Sequence, residues 1–205
     1  LVKVFISTEA VAIYALAVNL IAIAESLLPI GMLGRLLPWE AQRPERFRFI
    51  FHRGVKYAFW IGLTVAIGGF IFVPPLIGLL IPKYAPAIPL FRVMLVILPL
   101  FGVYKIYKSV LGVLREQRIL SLRVATEAGI IVALDAILLP LFGVIGVAAE
   151  YAITYVWRVA FFRRELVRAH PNLAMPLRSF LRFDQADRDL LVTLGREVLA
   201  TLRLR

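Results

Sequence analysis

Cysteine is absent from this chain, which excludes a disulfide framework, a thiolate metal site and a catalytic thiol. Histidine occurs only at His52 and His170. Each stands alone among arginines, without a second ligand at zinc-type spacing or a glycine-rich phosphate loop, so both read as solvated and no metal or cofactor is expected. Acidic residues are few, 13 against 24 lysines and arginines, which leaves a formal charge of +11. Such a balance can mark a nucleic-acid binder. Here the basic residues flank apolar stretches instead of forming a basic domain, which argues against nucleic acid as a partner. The chain opens on Leu1 and enters apolar sequence at once, without the charged region and cleavage site of a signal peptide. It is read as a fragment of a longer protein.

Apolar sequence is what the chain has in excess. Apolar residues make up 61% of it, against roughly half in soluble domains, and the mean hydropathy is +0.85. Residues 57–81, between Lys56 and Lys83, contain no charge at all, a run longer than a buried helix of a soluble domain needs. Candidate spans cover residues 8–34, 57–81, 88–114, 119–141 and 143–162, and residues 2–6 have the composition to finish an earlier one. The fold class is therefore all-α, a polytopic helical membrane protein with about five transmembrane helices. Between the last two spans, Pro140-Leu141-Phe142-Gly143 is expected to stop one helix and turn the chain tightly into the next. Pro29, Pro74-Pro75 and Pro99 fall in or near spans, where each interrupts the helix ladder.

Loop charge sets the orientation. Residues 35–56 carry Arg35, Arg43, Arg46, Arg48, Arg53 and Lys56, while Arg115 and Arg118 follow the third span, with Arg123 just beyond. The positive-inside bias puts both connections in the cytoplasm, along with the tail bearing Arg158, Arg163, Arg164 and Arg168. Residues 82–87 and 140–143 then face outward. Residues 1–164 form the transmembrane lobe and residues 165–205 a cytoplasmic tail. Within that tail, Asp184 and Asp187 precede Leu190, Leu191, Leu194, Val198 and Leu202 at helical spacing, which fits either an interfacial amphipathic helix or a weakly structured cytoplasmic tail.

Charges inside the spans mark the candidate site. Lys105 and Lys108, three apart in the third span, share a helical face and can present two ammonium groups to a phosphate or snorkel to the headgroups. Glu25, Glu127, Asp135 and Glu150 lie in three spans, where an ionised carboxylate costs at least ~2.5 kcal/mol and needs a partner or water. Glu127 and Asp135, eight apart, fall roughly on one face, and Glu127 is expected to pair with Lys105 or Lys108 at matching depth. Tyr14 and Asn19, on different sides of the first span, can bond across helices or contact a polar ligand. Ser7, Ser26 and Ser109 have no histidine at membrane depth to serve as base, so nucleophilic catalysis is set aside and no enzyme is expected.

Three ordered segments carry a family resemblance: Ile13-Tyr14-Ala15-Leu16-Ala17, Ile81-Pro82-Lys83-Tyr84-Ala85-Pro86-Ala87, and Leu138-Leu139-Pro140-Leu141-Phe142-Gly143-Val144-Ile145-Gly146-Val147-Ala148-Ala149. Over residues 7–164 the chain resembles the C-terminal half of the polysaccharide flippases, within the multidrug/oligosaccharidyl-lipid/polysaccharide exporter superfamily. It departs from the pattern at Ala12 and at Leu80-Ile81-Pro82, where glycine is usual, and at Asp135, where asparagine is common. The resemblance implies two six-helix lobes around a cavity open alternately to each side, this chain being most of the second. It further implies a bacterial plasma-membrane protein that moves an undecaprenyl-pyrophosphate-linked glycan to the outer leaflet for cell-envelope or exopolysaccharide assembly. Lys105 and Lys108 would suit the pyrophosphate, with Glu127, Asp135, Glu25 and Asn19 as further substrate-site residues. The implied partners are that lipid-linked glycan, membrane lipid and the N-terminal half of the same protein. Two rivals stand beside it: a membrane-bound glycan transferase or ligase, which should show a large polar outer loop, and a drug or ion exporter of the same superfamily, kept open by Glu25 and Asp135.

Overall fold

The computed structural model describes residues 8–28, 37–38 and 42–176, together with 179, 184, 185 and 187. Among the described residues all regular structure is helical: α1 (Thr8–Ser26), α2 (Pro44–Leu80), α3 (Ala87–Leu95), α4 (Ile97–Val113), α5 (Gln117–Phe142) and α6 (Val144–Ala169), with single 3-10 turns at Pro82–Tyr84 and Pro171–Leu173. Helices α2, α5 and α6 are each long and apolar enough to cross a bilayer. Helices α3 and α4 together are long and apolar enough to do so as a pair bent by 45°, as a broken span or a re-entrant loop, and α1 contains a shorter apolar helix, Val11–Ser26. Their outer sides carry side chains such as Phe72, Leu79 and Val132, which are 66%, 80% and 61% exposed. Contiguous apolar surface of this kind is stable against lipid and not against water.

Local chemistry explains where these helices depart from the expected spans. Helix α1 closes at Ser26, where the N–H groups of Leu27 and Leu28 bond the carbonyls of Ala24 and Glu25 at 3.3 and 3.2 Å. Residues 29–34 of the expected first span lie outside the described residues. Helix α2 starts well inside the arginine-rich connection, with Pro44 at its first turn, where a missing N–H costs no hydrogen bond. Its 37 residues reach about 55 Å, beyond the hydrocarbon thickness. Pro74 and Pro75 sit inside it without ending it. The third expected span breaks into α3 and α4 at Val96. Pro99 cannot donate to the Leu95 carbonyl and its ring crowds that oxygen, whereas the third residue of a new helix tolerates proline.

The last hairpin is tighter than expected. Pro140 stays within α5, and Gly143 alone makes the turn at φ 57° and ψ −136°, a conformation open in practice to glycine. Helix α6 then continues to Ala169, past the expected end at 162, and carries Arg163, Arg164 and Arg168 on its last turns.

Helix α4 lies at the centre, packed chiefly on α2 and α6, while α1 rests mainly on α3. The α2–α4 seam is close because both sides supply glycine. A Cβ on Gly62 would lie 2.6 Å from the Leu98 carbonyl oxygen, and one on Gly102 would lie 2.8 Å from that of Ala58. At the arginine-rich end the two histidines are partly buried and partnered, not simply solvated: His52 Nε2 lies 3.3 Å from the Leu173 carbonyl oxygen, and His170 Nε2 lies 3.0 Å from Glu116 Oε1.

The chain divides into two compact units, Leu1–Leu173 and Ala174–Arg205. In the second, the Asp184 N–H donates to Asp187 Oδ2 and the Asp187 N–H to Asp184 Oδ1, each at 3.0 Å, the reciprocal pattern of a helix N-terminal capping box. The amphipathic stretch expected after it, Leu190 to Leu202, lies outside the described residues.

Candidate functional site

The α5–α6 hairpin assembles a charge network by matching depths. Glu127 stands 16 residues before Gly143 and Arg158 15 after it, so both lie about 24 Å along their helices from the turn. Glu127 Oε1 accepts from Arg158 Nη2 at 2.6 Å, and Oε2 accepts from Arg123 Nε at 2.6 Å, with Arg123 one turn away on α5. Arg123 Nη1 also donates to the Tyr104 hydroxyl at 3.0 Å, which ties the pair to α4. The Arg158 guanidinium lies over the Tyr155 ring, 4.3 Å from its centroid. With only 9% of its side chain exposed, Glu127 is a carboxylate that needs both arginines at this depth.

Glu127 therefore pairs with arginines and not with Lys105 or Lys108. Arginine's planar fork allows several directed bonds, and Arg123 and Arg158 reach the carboxylate from α5 and α6. Charge counting assigns Arg158 to water with the tail arginines; the structure puts it in the helical interior, 12% exposed. Its index relative to Gly143 was the available signal.

The lysines occupy different ground. Along α4 the exposed positions are Lys105, Lys108 and Gly112, which fall on one face of a helix otherwise buried or nearly so. Lys105 Nζ lies 5.0 Å from the Phe101 ring centroid. Among the described residues neither lysine forms an ion pair with a carboxylate.

Glu25, in the last turn of α1, has a buried Oε1 without a hydrogen-bond partner, and Lys105 and Arg158 are its cationic neighbours. Nearer the hairpin turn, Asp135 and Glu150 stand eight residues before and seven after Gly143, about 12 Å along their helices from it. Glu150 accepts from the Thr154 hydroxyl at 2.7 Å, while Asp135 Oδ1 is buried without a partner. Tyr14 lies within electrostatic reach of both carboxylates. Asn19 is exposed on α1 and joins neither group. Among the described residues no three histidine, aspartate or glutamate side chains converge as a metal site. The structure thus brings Glu127 to Arg158 and Asp135 to Glu150, and leaves Lys105 and Lys108 exposed on one face of α4, with Glu25 within electrostatic reach of Lys105.

No protein-family model matches the chain, and no curated protein matches it in sequence. A solved structure does match: the lipid II flippase MurJ in an inward closed conformation, with a TM-score of 0.71 and 15% sequence identity. The chain shares the fold of part of that protein. The superposition covers 93% of this chain and 41% of MurJ, so the chain spans about two-fifths of that protein's length. The flippase resemblance read from the sequence is thus met at the level of fold. Its three segments fall on α1, on the turn from α2 into α3, and on the hairpin around Gly143.

Proposed function

We propose that this chain is part of a flippase that carries a lipid-linked, pyrophosphate-bearing glycan across the bacterial plasma membrane by alternating access, with Lys105 and Lys108 drawing in the anionic headgroup. The observation that carries this reading is the exposure pattern of α4: the central helix of the bundle, buried or nearly so on its other sides, opens one strip whose only polar residues are two ammonium groups. Ammonium groups act on phosphate as point charges and need no fixed geometry, which suits a cargo that must be held and then released. The likeness in fold to a lipid II flippase supports transport over catalysis.

Double substitution Lys105→Gln with Lys108→Gln in the full-length protein should lower glycan translocation at least tenfold, while Lys83→Gln at the far end of α2 should leave it near the parental rate. Glutamine keeps much of the side-chain length and helix propensity, so abundance should hold. Parental transport by the double variant at normal abundance removes the substrate role.

The reading also has the arginine-rich end and the tail in the cytoplasm, from the excess of arginine there over residues 82–87. The chain lacks cysteine, so single cysteines report topology cleanly. In intact cells an impermeant thiol reagent should label Lys83→Cys and spare Gln42→Cys; the opposite pattern inverts the orientation.

A further inference from the structure

Glu25, like Asp135, is a charged group whose placement the ion pairs do not explain. Its Oε1 is buried and accepts no hydrogen bond, and the neighbouring Ser26 hydroxyl is turned back to the Ile23 carbonyl at 2.6 Å. Two cations stand close enough to act on it, and neither bonds it. Arg158 has given Nη2 to Glu127, and its Nε is buried without a partner. Lys105 is exposed and rests on the Phe101 ring. A carboxylate at this depth is costly unless a cation neutralises it, and an ammonium on a membrane helix has the same need for an anion. The two needs meet between α1 and α4. Helix α1 rests mainly on α3 and touches α4 only lightly.

We propose that Glu25 is a built-in counter-ion of the lysine strip, neutralising Lys105 between loads and giving it up to the phosphate oxygens of an arriving anion. A pyrophosphate carries more charge and more acceptor oxygens than one carboxylate, so it displaces Glu25 from the ammonium. The released carboxylate remains within the electrostatic reach of Arg158, whose Nε has no partner. When the anion leaves, Glu25 returns to Lys105, and this competition keeps binding weak enough for release. The inference rests on the reading of Lys105 and Lys108 as the anion site.

The test uses full-length protein in nanodiscs, with inorganic pyrophosphate as probe. Glu25→Gln should bind pyrophosphate about tenfold more tightly than the parent, and the gain should vanish when Lys105→Gln is added. Parental or weaker binding by Glu25→Gln, with Lys105→Gln/Lys108→Gln still weakened, overturns the counter-ion role and leaves the proposed function standing. Unchanged binding by the double lysine variant removes the anion site itself, and the counter-ion with it. A second measurement needs no substitution. Zero-length carbodiimide coupling of the parental protein should join Glu25 to Lys105, detectable by mass spectrometry, and saturating pyrophosphate should suppress the product. Absence of the Glu25–Lys105 product, or its persistence at saturating pyrophosphate, overturns the proposal.

Discussion

Glu127→Ala should destabilise the folded chain by about 3–5 kcal/mol, the range expected when one partner of a buried ion pair is removed. The cost arises from what remains. Arg123 and Arg158 would face each other in the helical interior with no anion between them, their side chains only 13% and 12% exposed. Neither can shed its charge, because guanidinium stays protonated in proteins. Denaturant unfolding in detergent, followed by tryptophan fluorescence, measures the loss, and Trp157 beside Arg158 is well placed to report it. Adding Arg158→Leu to Glu127→Ala should restore part of the stability by removing one of the stranded cations. A parental midpoint for Glu127→Ala would mean that the arginines find other anions and that the pair is incidental.

A second large effect is expected at the α2–α4 seam. Gly62→Val should cost upwards of ~3 kcal/mol, because its Cβ would meet the backbone of Leu98 and Pro99, which cannot rotate aside as a side chain can. The clash lies at 2.6 Å from the Leu98 carbonyl oxygen and 2.7 Å from the Pro99 Cα. Gly68 supplies the control, since a Cβ there meets nothing within 4 Å. Gly68→Ala should hold or gain stability by up to ~1 kcal/mol through helix propensity. Equal folded yield and equal melting for the two variants would contradict the close approach of α2 and α4.

Much of this architecture was legible in the sequence, because a bilayer imposes length and hydrophobicity on each span independently of its neighbours. The uncharged run from Tyr57 to Ile81 and the glycine after Phe142 needed no tertiary information to be read. The break at Val96 was harder: Pro99 announces an interruption but does not say whether a helix will kink, as proline permits, or restart. The site was read less well than the fold. Residues sharing one helix can be assigned to faces by spacing, so the common face of Lys105 and Lys108 follows from their positions alone. The partner of Glu127 depended on which helix lies opposite it, and that is a property of packing. Arg158 falls within the expected span 143–162, but loop-charge counting groups it with the solvated tail arginines, whereas its partner Glu127 holds it in the helical interior.

Joining two spans by a single residue has a consequence for the length of the hairpin. Glycine at position 143 leaves no slack to absorb an extra or missing residue, so each arm acts as a ruler measured from the same zero. Dropping one residue from α5 between Glu127 and Gly143 would rotate Glu127 by about 100° and draw it about 1.5 Å toward the turn, away from Arg158. The same deletion between Asp135 and Gly143 would also shift Asp135 relative to Glu150. Matched deletions on both arms would keep the levels aligned. The hairpin is therefore open to changes of side chain along its lipid-facing sides and closed to unilateral changes of length.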